Sequence, residues 1–219
     1  MGERLLLAIR ERGDLRPVWL YHHWGGAEAT FLSIILETWV KDKPKTKTDW
    51  VKGLLIHNEG MEVADWNWDK NYLAALFVEG KQTVVVWVPL DWRNFGHNYE
   101  IRFRRERQFI DNFIRGAENE HYYDAKSEVI ELATVQNYSI VYLLDQDDPN
   151  STKVLIDRVK ALRQEQINRL EKMRQNYTGA KPDYIEDYLK ALKDAYNELV
   201  ELEKDLMKGK GEGVPNEAT

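Results

Sequence analysis

The sequence predicts an α+β protein: an antiparallel sheet of hairpins with a packed helix, a ββαββ core, followed by a C-terminal αα-hairpin. Three observations carry this expectation. Between residues 4 and 89, short apolar runs alternate with turn residues, as in a meander of strands. One intervening run, "AEATFLSIILETWV", repeats Phe31, Ile34, Ile35 and Trp39 at helical spacing. From Ser151 the pattern changes to two long apolar stripes at alternating spacings of three and four.

The elements follow in order. "RLLLAIR" (4–10) and "PVWLYHH" (17–23) are strand-like and flank "ERGDLR", where Gly13-Asp14 supplies a turn. The helix after Gly25-Gly26 is ended by the polar "KDKPKTKTD". A second hairpin is expected from "YLAALFV" and "TVVVWVPL" around the turn "EGKQ". Further on, Phe109, Ile110, Phe113 and Ile114 have helical spacing, and "SEVIELATVQNYSIVYLLD" reads as two more strands, although "SEVIELA" also suits a helix. The first late stripe is Leu155, Val159, Leu162, Leu170 and Met173, interrupted at Gln166 and Arg169. The second is Ile185, Leu189, Leu192, Tyr196, Leu199 and Leu206. Gly179 and Pro182 form the stop and restart between them. The expected domains are therefore an α+β domain at 1–148, a helical hairpin at 149–208 and a disordered tail at 209–219. All eight tryptophans lie between Trp19 and Trp92, within the first of these.

Composition excludes several classes of function. With no cysteine, the chain has no disulfide framework, no thiolate zinc site and no thiol chemistry, which fits a cytoplasmic location. Its longest apolar runs are too short to span a bilayer, so no membrane role is expected. The net charge of -6 falls wholly in residues 1–150, because residues 151–219 hold 13 basic and 13 acidic side chains. An acidic body makes duplex nucleic acid an unlikely partner, since such binding depends on phosphate neutralisation. The local exception is "RFRRER", in which Arg102, Arg104 and Arg105 are candidate anion contacts beside the alternative of a solvated helix start or strand edge.

Metal and cofactor motifs fail on inspection, and neither a metal nor a cofactor is expected. His22 and His23 are adjacent, so on a strand their rings point to opposite faces. Glu118 and His121 have a di-iron spacing without a second copy. Asp65, Asn67 and Asp69 imitate a calcium loop, but Lys70 replaces its glycine and Leu76 its closing glutamate. No Walker loop, dinucleotide fingerprint or nucleophile elbow occurs.

The remaining candidate is "YHHWGGAEATF" (21–31). Gly25 and Gly26 between strand and helix would let backbone N–H groups face an anion at the helix start, with Tyr21 and His23 on one strand face and Trp24 able to stack a ring. The alternative is a tight turn with core-filling aromatics. Tyr21-x-His23-Trp24-Gly25-Gly26 also resembles the Y-x-H-W-D-G-Y signature of uncharacterised phage and mobile-element proteins, with Gly25 in place of the Asp and Ala27 in place of the second aromatic. That resemblance covers the N-terminal hairpin, the helix and the aromatic-rich strand pair, and it implies a viral or prophage source.

Together these features lead us to expect a noncatalytic viral or prophage binding protein, a counter-defence factor in one form. Its ligand would be a small, anionic, nucleotide-like molecule or a host protein in the host cytoplasm, with self-association through the C-terminal helices. The alternatives are a metal-independent hydrolase or phosphodiesterase with His23 as catalytic acid or base, and a structural virion component.

Overall fold

The computed structural model describes residues 3–11, 14, 17–65, 68, 71–89, 140–176 and 183–208. β1 (Leu5–Glu11) and β2 (Val18–His22) form the first hairpin. Asp14 closes its turn: its N–H donates to the Glu11 carbonyl at 3.1 Å, and its carboxylate accepts from the Glu11 N–H at 2.9 Å. A short acidic side chain that bonds its own turn backbone is a local signal the chain carries by itself.

α1 (Glu28–Asp42) follows and buries Phe31, Leu32, Ile35, Leu36 and Trp39. It stops at Lys43, which adopts the left-handed conformation (φ 45°) and donates its N–H to the Trp39 carbonyl at 3.1 Å. The polar stretch after it does more than end a helix, because it starts another. In α2 (Lys47–His57), the Thr46 hydroxyl accepts from the Asp49 N–H at 3.1 Å and the Asp49 carboxylate accepts from the Thr46 N–H at 3.0 Å. This reciprocal cap satisfies two N–H groups that the helix start leaves open. Trp50 of α2 stacks on Trp39 of α1, with ring centroids 6.1 Å apart and planes 19° apart. Gly53 permits that closeness, since a Cβ there would collide with the Thr38 methyl group and the Asp42 carboxylate.

β3 (Met61–Ala64), β4 (Tyr72–Glu79), β5 (Gln82–Pro89) and β6 (Ile140–Asp145) complete a six-stranded sheet of order β3-β2-β1-β4-β5-β6. The expected antiparallel sheet is corrected to a mixed one: β1 and β4 run parallel, in register from Leu5 opposite Tyr72 to Glu11 opposite Val78. The physical reason lies in β1, where Leu5 to Ile9 are apolar without interruption and all lack solvent exposure. A strand apolar on both faces belongs at the centre of a sheet. One edge of β1 is taken by β2, and the intervening β2-α1-α2-β3 segment is long enough to bring β4 to the other edge in parallel. Arg10 is buried beside this seam, its guanidinium 4.6 Å from the centre of the Phe77 ring that stands opposite it in register.

The chain divides into two compact units, Met1–Ser151 and Thr152–Thr219. The helical pair is α3 (Pro149–Gln175) and α4 (Asp183–Lys208). Ile167, Leu189 and Leu192 form a buried cluster joined by Leu170 and Tyr196. The expected stripe on α3 therefore needs correction, because Ile167 is in the seam while Met173 is 47% exposed. Arg163 lies on the seam side of the same helix, donates to the Gln166 side-chain oxygen at 3.0 Å, and has its pKa lowered by burial. Among the described residues no helix is long and apolar enough to cross a membrane. The helix expected around Phe109, the strand or helix "SEVIELA" and the tail at 209–219 lie outside the described residues.

Candidate functional site: an aromatic junction at the end of β2

His22 and His23 part company as strand alternation requires, and they do different work. His22 is in register with Met61 of β3, and its Nδ1 accepts the Trp24 backbone N–H at 3.1 Å. Its other nitrogen donates to the Glu59 carbonyl. Because Nδ1 must stay unprotonated to accept, the ring is the neutral Nε2–H tautomer, tying the 23–24 bend to the turn before β3. Burial is the largest influence on its pKa and lowers it below the ordinary value, as does the neighbouring His23, while the Glu59 bond acts in the opposite direction.

Gly25 and Gly26 are buried, and both are needed for close approach. A Cβ on Gly25 would lie 2.9 Å from His22 Cγ. One on Gly26 would overlap the Tyr72 ring and come within 2.6 Å of the Glu3 carbonyl oxygen. Gly26 also uses both backbone groups: its N–H donates to the Glu3 carbonyl at 2.7 Å, and its carbonyl accepts the Trp87 indole N–H at 2.8 Å. Trp87 in turn stacks on Tyr72, centroids 5.6 Å apart. The N–H groups of Trp24 and Gly26 therefore hold the junction together. They are not presented to an anion.

The other face of the junction is exposed and aromatic. The Tyr21 hydroxyl lies 3.2 Å from His23 Nδ1, with the two rings edge to face. Trp68 meets Tyr21 edge to face at 5.1 Å, and Trp24 meets His23 at 4.8 Å. This gives a chain of four rings from Trp68 through Tyr21 and His23 to Trp24. Tyr21 is buried, whereas Trp24 is 58% exposed and Trp68 37%. Edge-to-face contacts fix the rings without spending their outer faces. Glu62 is exposed and stands directly opposite Tyr21 on β3, so it shares this face.

The structure thus brings together Tyr21, His23 and Trp24 and gives Gly25 and Gly26 a packing role. Arg102, Arg104 and Arg105 lie outside the described residues, as do Glu118 and His121. Sequence reasoning missed Trp68 and Glu62, and the position of β3 beside β2 is what brings them in. Elsewhere, His57 Nε2 lies 3.1 Å from each carboxylate oxygen of Asp42, joining the C-terminal ends of α1 and α2. Among the described residues, no group of three or more His, Cys, Asp or Glu side chains is placed to hold a metal ion.

Fold and site together define an α+β protein with an exposed aromatic surface at one margin of a mixed sheet. Comparison of the chain with protein-family models, curated proteins and solved structures finds no match in any of the three.

Proposed function

We propose that this chain is a noncatalytic binding protein that engages a partner protein through the surface formed by Tyr21, His23, Trp24 and Trp68. The observation that carries the reading is the exposure of Trp24 and Trp68 on rings held in place from below. Exposed indole surface gains about 25 cal/mol per Å² when a partner covers it, and tryptophan is concentrated at the centres of protein interfaces. The protein arm of the expectation gains over the small-anion arm because the junction amides of Trp24 and Gly26 are already bonded within the chain. The resemblance of Tyr21-x-His23-Trp24 to phage and mobile-element proteins supports a viral source and a host partner. A structural virion component remains a form of this reading in which the partner is another virion protein.

Native mass spectrometry of the protein as purified from its own cellular setting tests the reading. A bound species present in the wild type is expected to be lost in Trp24→Ala and in Trp68→Ala, with melting temperatures unchanged. A species retained by both variants, or a large fall in their melting temperatures, overturns it. Phosphodiesterase or other hydrolytic turnover abolished by His23→Ala moves the assignment to an enzyme, with the Tyr21 hydroxyl as the group that orients the imidazole.

A further inference from the structure

The ring row presents hydrogen-bonding groups of one polarity. Tyr21 is buried, and its hydroxyl has one partner among the described residues, His23 Nδ1 at 3.2 Å. A buried phenol gives its proton to the acceptor within reach, which makes Nδ1 the acceptor. The neutral His23 ring therefore carries its own proton on Nε2. That nitrogen has no partner among the described residues, and His23 is exposed, so its N–H is presented at the surface. Trp24 repeats the pattern: its backbone N–H is bonded to His22, while its indole N–H has no partner among the described residues. The two rings have centroids 4.8 Å apart. Two donors thus stand side by side among ring faces, and neither side chain offers an acceptor. Charge limits what answers them. The whole net charge of -6 lies in residues 1–150, and Glu62, the register neighbour of Tyr21, is exposed. A carboxylate or phosphate is disfavoured beside it, which leaves a neutral acceptor, the peptide carbonyl.

We infer that this surface receives a proline-rich segment of the partner protein in the polyproline II conformation, with main-chain carbonyls accepting from His23 Nε2 and Trp24 Nε1 and proline rings lying on the indoles. A strand or loop of ordinary sequence would bring N–H groups along with its carbonyls, and each covered N–H would lose water against side chains that accept nothing. A helix keeps its carbonyls bonded within itself. Proline has no N–H, and polyproline II makes no internal hydrogen bonds, so its carbonyls remain open to outside donors. Its rise of about 3.1 Å per residue lets carbonyls of neighbouring residues reach two donor rings 4.8 Å apart. The segment is already extended and stiff, so docking on aromatic rings costs it little entropy. Trp68, edge to face with Tyr21, lengthens the platform. Recognition by ring contacts and neutral bonds depends only weakly on salt. This inference rests on the reading of the aromatic surface as a protein-binding site and names the chemistry of its partner.

The test is a nitrogen NMR titration of the full chain with a short peptide of proline and alanine, and with a glycine and serine peptide of equal length. Before peptide is added, the neutral His23 ring is expected to carry its proton on Nε2. Saturable shifts of the His23 ring and Trp24 indole signals with the proline peptide alone, little altered by salt, are the expected result. Trp24→Phe and His23→Phe each keep a ring and lose a donor, so each should weaken binding by about threefold to tenfold, and His23→Gln, which keeps a side-chain N–H, by less. Because Trp24 is 58% exposed, Trp24→Phe reads the lost donor without disturbing the core. A proton on Nδ1, no saturable shift, equal response to the two peptides, or unchanged affinity in both phenylalanine variants overturns the inference. Those outcomes leave the broader reading standing where Trp24→Ala and Trp68→Ala still lose the species seen in native mass spectra. If that species survives in both, the broader reading falls, and this inference with it.

Discussion

The indole N–H of Trp50 donates to the Thr83 hydroxyl at 3.0 Å, and neither side chain has any solvent exposure. This bond pins α2 to β5. Trp50→Phe leaves the hydroxyl buried without its donor, and Thr83→Val leaves the indole N–H without its acceptor. Each is expected to cost about 1–3 kcal/mol. The double variant is expected to cost less than the sum of the two by about 1 kcal/mol, read from urea unfolding midpoints. Strict additivity would show that the bond contributes nothing.

His22 makes stability depend on pH. Its folded pKa is depressed below the ordinary 6.5, chiefly by burial. A depressed histidine stabilises fully above the unfolded value, and that contribution is lost as pH falls through the folded pKa, because the unfolded chain takes up the proton first. The melting temperature of the wild type is therefore expected to drop on acidification below 6.5. His22→Gln starts lower at neutral pH and lacks this component, so the two curves should converge. A constant gap between about pH 7.5 and about pH 5 would refute the assignment.

The two junction glycines are expected to differ in what replacement costs. At Gly26 an added methyl meets the Glu3 backbone as well as the Tyr72 ring, and backbone cannot step aside. Gly26→Ala should destabilise by about 3 kcal/mol and disturb the Trp87 environment through the bond that its carbonyl accepts. At Gly25 the nearest atoms belong to the His22 side chain, so Gly25→Ala should cost less. Near-ultraviolet circular dichroism and thermal melts separate the two. Equal costs would mean that Gly26 is not the tighter position.

Glu203 of α4 accepts from Lys153 and Lys160 of α3, at 2.7 Å each. Bonds from these two ammonium groups hold its carboxyl well below the usual range, at about 2. Its contribution is present above the ordinary carboxylate value of 4.5 and is lost as pH falls through the folded one. The side chain is 22% exposed, so solvent and salt weaken the pair. Glu203→Gln is expected to lower the melting temperature of the hairpin slightly at neutral pH and low salt. At about 1 M salt the difference should narrow, where the Debye length is about 3 Å. A difference that salt leaves unchanged would point to packing instead of charge.

How much of this was legible in the sequence depends on where each element's information lies. α1 and the hairpin of β4 and β5 were readable because their burial follows their own periodicity. α2 was not, since its buried residues are Trp50, Gly53 and Leu54 while the apolar Leu55 and Ile56 face outward. Its local signal was Thr46-x-x-Asp49, a capping pattern that stands in plain view before Trp50. The parallel pairing of β1 with β4 was hidden because strand direction is decided by contacts far apart in the chain. The unbroken apolar run from Leu5 to Ile9 nevertheless marked β1 as central. At the candidate site, Tyr21, His23 and Trp24 come from one short stretch, so their adjacency was legible. Trp68 and Glu62 come from the segment that follows α2, and spacing alone does not bring them to β2. The glycines were noticed for their backbone amides, yet what demands them is close approach, of the His22 side chain at Gly25 and of the Tyr72 ring and the Glu3 carbonyl at Gly26.

The parallel pair at the centre of the sheet also dictates the order in which the molecule can be made. Leu5 meets Tyr72 across 67 positions of chain. At about 5–20 residues per second of synthesis, β1 leaves the ribosome roughly 3–13 s before β4 exists to cover it. During that interval its partner is β2 alone, and a strand that is apolar from Leu5 to Ile9 keeps one margin open. High contact order of this kind slows folding and lengthens exposure to aggregation, at a stage when the aromatic surface has yet to be assembled.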